Sequence, residues 1–274
     1  MLLSAPTLRH VLVIGVDGVR FDLLSPEVTP VIWDFGCDGF LGPVPIDETT
    51  PTWSGPCWAT IVTGAGVDRH GITGNDLTGH RPAEHPDFVT VATRAGLPTL
   101  LAVTGWPPLA LAEDGGPLFA EAARREFVAV AEVSLAAWDA ADQDTTELAA
   151  RILAEDGPRL AFVYLGAVDF AGHAVGAGAA YREAARAADR RVGRLLAAVR
   201  SRPGYAEEGW TTVVVTDHGH LDQGGHGGRE PEVATAWVAA AGPGIPRGGP
   251  SPVTRQDQVA PLVLGALGPP PGPG

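Results

Sequence analysis

Three aspartates each stand at or soon after an apolar, strand-like run: Asp17 after HVLVIGV, Asp169 after RLAFVYL and Asp217 after TTVVVT. Two of them have histidine company. His218 follows Asp217 directly, and His173 lies four residues beyond Asp169. That spacing lets Asp169 and His173 face one point if the segment turns as a helix. A further histidine, His226, sits in GGHGG, where the glycines strip away packing partners and let backbone come close to an ion or ligand. Each feature alone also has an ordinary reading. Asp217-His218 suits a polar turn after a strand, Asp169 an N-terminal helical turn, and Asp17-Gly18 an Asx turn.

Taken together, Asp17, Asp169, His173, Asp217, His218 and His226 form a set of carboxylate and imidazole donors. Such donors suit Zn²⁺, Mn²⁺ or Fe²⁺ better than a soft-metal site. Six donors exceed one tetrahedral zinc and match two ions with three protein ligands each. Two ions about 4 Å apart can activate a nucleophile and stabilise both axial oxygens of an in-line displacement. His220 is open between a residue that orients a ligand, a substrate contact and an exposed group. His10, His80 and His85 read as surface groups.

A nucleophile is still required. The segment TTPTWSGPCWATIVTG offers Thr49, Thr50, Thr52, Ser54 and Cys57. Ser54 precedes what reads as a helix start, and a helix N-terminus favours the charge of an anion or an alkoxide. A helix N-cap is the plain alternative for Ser54.

The elements that must position these groups alternate. Strands are expected over 10–16, 39–46, 97–103, 127–131, 159–165, 211–216 and 234–240. Helices are expected over 26–36, 57–63, 86–95, 117–125, 145–155, 177–199 and 255–266, with loops at 49–56 and 66–85. Strands alternating with helices predict an α/β sandwich. In such sheets ligands gather beyond the carboxyl ends of strands, which is where the aspartates fall. The 274 residues suit a single α/β domain over 1–274, ending in a Pro/Gly-rich tail at 268–274.

The formal net charge of -13 argues against binding a nucleic-acid polymer, which needs basic surface. An acidic metalloenzyme stays compatible with it, since bound cations reverse the local field. Two cysteines, Cys37 and Cys57, form no C-x-x-C pair and no disulfide framework. No run reaches membrane-spanning length and no secretion signal is evident, so a cytoplasmic location is the default expectation.

The ordered motifs resemble the alkaline phosphatase superfamily, most closely its type I phosphodiesterase and nucleotide pyrophosphatase branch. The match runs through GVDG at 15–18, PTWSGPCWATIVTG at 51–64, DRHGITGN at 68–75, DFAGH at 169–173, TDHGH at 216–220 and the GGHGG segment. The resemblance implies an alkaline-phosphatase-like sandwich with a mostly parallel sheet covered by helices on both faces. It implies two divalent ions, zinc first and Mn or Fe as substitutes. Asp17, Asp217 and His218, with the Ser54 oxygen, would hold one ion. Asp169, His173 and His226 would hold the other.

Counting ten residues back from Gly64 gives Ser54 as the family nucleophile, with Thr52 as the substitute. Many members of the branch use threonine there. Asn75 matches the asparagine that donates to a phosphoryl oxygen. The implied activity is cleavage of small-molecule phosphodiesters or nucleotide pyrophosphates through a Ser54 phosphoenzyme. A phosphomonoesterase, a phosphonate hydrolase and an inactive binding module of the same fold are the alternatives.

Sulfatase relatives need an arginine four residues after the nucleophile, and Trp58 stands there instead. The short stretch from Gly64 to Val168 leaves little room for the inserted domain of the phosphate-mutase relatives. His226 follows His218 by only eight residues, closer than in many nucleotide pyrophosphatases, which weakens any transfer of substrate preference.

Overall fold

The computed structural model describes residues 8–111, 116–248 and 251–268. Its organising element is β1 (Leu8–Val16), whose last seven residues are all buried. A strand covered on both faces must be apolar on both, and LRHVLVIGV meets that demand from His10 onward. Alternate residues point to opposite layers. Val11 and Val13 join one core, while Leu12, Ile14 and Val16 join the other.

Around β1 lie β2 (Phe40–Pro45), β3 (Thr99–Thr104), β4 (Arg124–Val128), β5 (Leu160–Leu165), β6 (Glu208–Val215) and β7 (Thr235–Ala241). They form one seven-stranded sheet in the order β2-β7-β6-β1-β5-β3-β4. β6, β1, β5, β3 and β4 run parallel, and β7 pairs antiparallel with both β6 and β2. The fold is therefore α/β with a mostly parallel sheet, as the alternation of elements predicts.

Helices α1 (Pro30–Cys37), α6 (Leu135–Glu155) and α8 (Ala179–Arg200) cover one face. The other is covered by α2 (Ser54–Thr63), α4 (Phe88–Arg94) and α9 (Val259–Leu267). The short α3 (Val67–His70) and α5 (Pro107–Ala110) lie in connections, and α7 (Ala167–Val175) follows β5 directly.

Several boundaries differ from the sequence expectation. α1 starts at Pro30 rather than Pro26, with that proline at its first turn, where a missing N–H costs nothing. α2 begins at Ser54, not Cys57, and α3 interrupts the loop expected over 66–85. No helix forms over 117–125. Backbone groups there bond elsewhere: the Arg125 guanidinium donates to the Phe119 and Ala120 carbonyls, and Asp87 accepts from Ala120 N–H. β4 accordingly starts at Arg124, three residues before the expected strand.

α6 begins at Leu135, ten residues early, because Ser134 caps it by accepting from Ala137 N–H. The tail beyond Gly268 lies outside the described residues. His10 is not a surface group. It is buried, stacks on Trp210 at 4.6 Å and donates from Nδ1 to the Pro158 carbonyl. His80 and His85 are half-buried, and both His80 ring nitrogens are shielded from solvent.

The early start of α6 matters to the site, because it carries Asp142. This fully buried carboxylate accepts from Gly166 N–H and Ala167 N–H, both at 3.0 Å, and so caps α7 from a neighbouring helix. Burial pushes its pKa from 3.8 up to about 6. The folded chain thus holds this proton more tightly than the unfolded chain. The group's contribution to stability is full below pH 3.8 and is lost as pH rises through about 6. An Asp142→Asn variant removes that titration. Between the two values its stability should gain on the parent by about 3 kcal/mol. Urea unfolding of both proteins, metal-free, at the two ends of the window measures the difference.

Candidate metal centre and nucleophile

Asp17, Asp217 and His218 are all fully buried at the carboxyl ends of the adjacent strands β1 and β6. The register of those strands sets them side by side. Thr216 locks the junction, donating to the Val16 carbonyl at 2.7 Å and accepting from Val19 N–H at 3.1 Å. Each aspartate has one oxygen tied down. Asp17 Oδ2 accepts from Trp58 Nε1 at 2.8 Å and Tyr164 Oη at 2.6 Å. Asp217 Oδ1 accepts from Gly18 N–H at 3.1 Å. The second oxygen of each, Asp17 Oδ1 and Asp217 Oδ2, is buried with no hydrogen-bond partner.

Those two oxygens lie 3.7 Å and 3.2 Å from His218 Nε2. His218 directs its other nitrogen, Nδ1, at the Gly219 carbonyl. With the proton on Nδ1, Nε2 presents a bare lone pair to the same point.

Ser54 Oγ completes this group, 3.2 Å from His218 Nε2. Ser54 is the first residue of α2 and the N-cap position is held by Trp53, so the N-cap alternative for Ser54 does not apply. Thr52 is committed elsewhere: its hydroxyl donates to the Gly228 carbonyl at 2.8 Å. Asn75 is held against the same helix start, where its Oδ1 accepts from Gly55 N–H at 2.8 Å. That bond fixes the amide's orientation and leaves its NH₂ end as the group available to a ligand.

The second cluster gathers Asp169, His173, His220 and His226. Asp169 lies in the first turn of α7 and His173 in the last, so the helical spacing does bring them together. Asp169 Oδ1 is 3.6 Å from both His173 Nε2 and His226 Nε2, and those two nitrogens are 2.9 Å apart. His226 Nδ1 donates to the Thr52 carbonyl at 2.7 Å, which again leaves Nε2 bare. The glycines around it are required. Gly224, at φ 95, packs so close that a Cβ would lie 2.5 Å from the Gly172 carbonyl oxygen. Asp169 also falls in a group with Asp17 and His218, so the two clusters adjoin.

The structure thus brings all seven expected donors, Asp17, Ser54, Asp169, His173, Asp217, His218 and His226, into one place. His220 joins them, although its role was open in the sequence. Sequence reasoning did not find Tyr164, Asp142 or the part that Trp58 plays. No local signal announces these, since each acts on a residue more than twenty positions away. Trp53 is largely exposed beside the helix start, whereas Phe170 stacks on Trp138 at 5.2 Å.

Electrostatics define what the centre lacks. Burial, then the charge of Asp169, pushes Asp17 up to about 8. Burial and the charges of Asp17 and Asp169 raise Asp217 well above the usual carboxylate range. Burial also works to raise Asp169, but its hydrogen bond to His220 and the surrounding imidazoles hold it below that range. His218 is pushed well down, first by burial and then by His226. Buried carboxyl groups forced up and a buried imidazole forced down mark a centre short of positive charge. Orphaned carboxylate oxygens and bare nitrogen lone pairs on one point fit divalent cations.

The α/β sandwich shares the alkaline-phosphatase-like fold of solved structures. The chain belongs to the type I phosphodiesterase / nucleotide pyrophosphatase family, whose model matches residues 11–226. It is an enzyme, a phosphoester hydrolase of the alkaline phosphatase superfamily.

Solved structures share the fold at low identity. Human ectonucleotide pyrophosphatase / phosphodiesterase 5 is 15% identical with a TM-score of 0.70, covering 94% of this chain and 95% of that one. A 2-O GAG sulfatase is 14% identical with a TM-score of 0.71, covering 95% and 71%. The phosphonate monoester hydrolase of Agrobacterium radiobacter is 16% identical with a TM-score of 0.64, covering 95% and 74%. No curated protein matches the chain by sequence. No helix among the described residues is long and apolar enough to cross a membrane.

Cation binding at this centre must displace the proton that burial leaves on Asp17. Zinc affinity, measured in chelator-buffered solution, should therefore climb as pH rises toward about 8. Trp58→Phe keeps the ring but removes the N–H on Asp17. It should weaken zinc binding roughly 10- to 100-fold, as loss of a group orienting a ligand typically does.

Proposed function

We propose that this chain is a two-ion phosphodiesterase or nucleotide pyrophosphatase that uses Ser54 as its nucleophile. The reading is carried by one observation. The partnerless oxygens of Asp17 and Asp217 face His218 Nε2, and Ser54 Oγ sits 3.2 Å from that nitrogen at the first residue of a helix. In this reading Asp17, Asp217, His218 and Ser54 hold one ion, and Asp169, His173 and His226 hold the other. Zinc suits these donors best, with Mn and Fe as substitutes. When bound, the ions supply positive charge that favours the alkoxide and stabilises the entering and leaving oxygens.

The protein's own groups do the rest. Ser54 Oγ attacks phosphorus, the bond to the leaving alcohol or nucleotide breaks, and the proton given up by Ser54 ends on that leaving oxygen. Water then attacks the phosphoserine, releasing phosphate or a phosphomonoester and restoring the hydroxyl. Ser54 at the start of α2 meets the phosphoryl group where first-turn N–H groups lack acceptors within the helix. The Asn75 NH₂ donates to a phosphoryl oxygen as charge develops there.

Three arginines, Arg20, Arg69 and Arg229, bear on the choice between diester and monoester. A monoester carries an extra negative charge that calls for a free cation near phosphorus. Arg20 is committed to Asp22 and Asp222, each at 2.6 Å. Arg229 donates to the carbonyls of Ile46, Asp47 and Thr50. Arg69, in contrast, is exposed and lines a cavity shared with Thr49 and Thr50, so the arginines do not favour one ester over the other and the choice of a diester rests on the family.

The test is a zinc-loaded panel of mono-, di- and pyrophosphate esters, with rapid quench for covalent phosphate. Diester or pyrophosphate turnover should exceed monoester turnover. Ser54→Ala should abolish the phosphoenzyme and nearly all turnover; full turnover in that variant would falsify the assignment.

A further inference from the structure

His220 lies within the Asp169 cluster and looks at first like a fourth ligand. Its hydrogen bonding points the other way. An imidazole that holds an ion through one nitrogen donates the other N–H to an acceptor, which fixes its tautomer. His218 and His226 follow that pattern, each directing Nδ1 at a backbone carbonyl and leaving Nε2 bare. In His220 the pattern is reversed. Nδ1 is buried with no partner, while Nε2 lies 2.8 Å from Asp169 Oδ1.

The ring has nowhere to turn. It packs on the α7 backbone at Gly172, where a Cβ would lie 2.6 Å from Nδ1, and against Gly18, where a Cβ would lie 2.8 Å from Nε2. A proton on Nδ1 would be a buried, unpaired donor, and the bare Nε2 would then face a carboxylate oxygen. Both are unfavourable. The proton therefore belongs on Nε2, which then has no lone pair for an ion.

We infer that His220 is a positioning residue. It holds Asp169 through an Nε2–H···Oδ1 hydrogen bond and does not ligate, so the cluster of four offers three donors. The loop that carries it is pinned for this purpose. Arg20 donates to the His220 carbonyl at 3.4 Å while paired with Asp222 two residues on. The inference rests on the two-ion reading above and refines it.

Zinc stoichiometry tests the underlying reading on its own: two ions per chain are expected, and fewer would remove that reading. Zinc X-ray absorption of the fully loaded protein then tests His220. Three imidazoles shared by two ions are expected, and four would overturn the inference. Two variants add a functional readout through competition with a chelator. His220→Leu, which cannot donate, should weaken one of the two zinc sites roughly 10- to 100-fold. His220→Gln, which places an amide N–H where Nε2 stands, should restore affinity to near the parent value. If Gln is as damaging as Leu, or if neither changes affinity, the inference falls. The imidazole count decides the matter even if the Leu variant does not fold.

Discussion

The structure is organised around a concentration of buried carboxyl groups. Three aspartates, Asp17, Asp169 and Asp217, meet at the carboxyl ends of β1, β5 and β6. Two of them are wholly removed from solvent. Charges cannot be placed there cheaply unless every oxygen has a use. The surroundings supply that use for half of the oxygens. Trp58, Tyr164, Gly18 N–H and His220 each direct a donor at one carboxylate oxygen. The opposite oxygens of Asp17 and Asp217 are left facing the centre. A fold that spends an indole and a phenol on a single carboxylate fixes where its free oxygen points, and that direction is what a bound cation requires.

The parallel sheet explains why these groups can be assembled. Neighbouring parallel strands end at the same edge, so residues distant in sequence become adjacent without long connecting loops. β1 and β6 pair in direct register up to Gly15 and Val215, which brings Asp17 and Asp217 level just beyond. β5 flanks β1 on the other side and hands the chain to α7, which carries Asp169 and His173. Asp142 closes the arrangement by satisfying the first N–H groups at the start of that helix. The one reversed strand, β7, lies beyond β6 and leaves the three strands that deliver ligands parallel.

Much of this was legible in the sequence. Apolar runs ending near Asp17, Asp169 and Asp217 mark both the strands and the edge where ligands gather. The GGHGG context separates His226 from an ordinary buried histidine. The part that was not legible depends on contacts between distant residues. Nothing local to Trp58 says that its N–H reaches Asp17, and a W in an apolar helix reads as core. Nothing near Asp142 says that it caps a helix starting twenty-five residues later. His10 looks exposed beside charged residues until Trp210 stacks on it. The segment 117–125 has helical composition, yet Asp87 and Arg125 claim its backbone groups. His220 was ambiguous because its role turns on which nitrogen carries a proton, and that is decided by the Gly172 backbone packed against it.

The contacts of Thr52 have a consequence for how the protein comes into being. Its carbonyl receives His226 Nδ1–H and its hydroxyl reaches the Gly228 carbonyl, so the segment bearing Ser54 is latched to the last ligand segment across more than 170 residues. On a ribosome, the early ligands emerge long before their partners exist. A nascent chain ending before the glycine-rich segment offers scattered donors and no enclosed cage. The donor cluster is thereby completed only when nearly the whole sheet has been made.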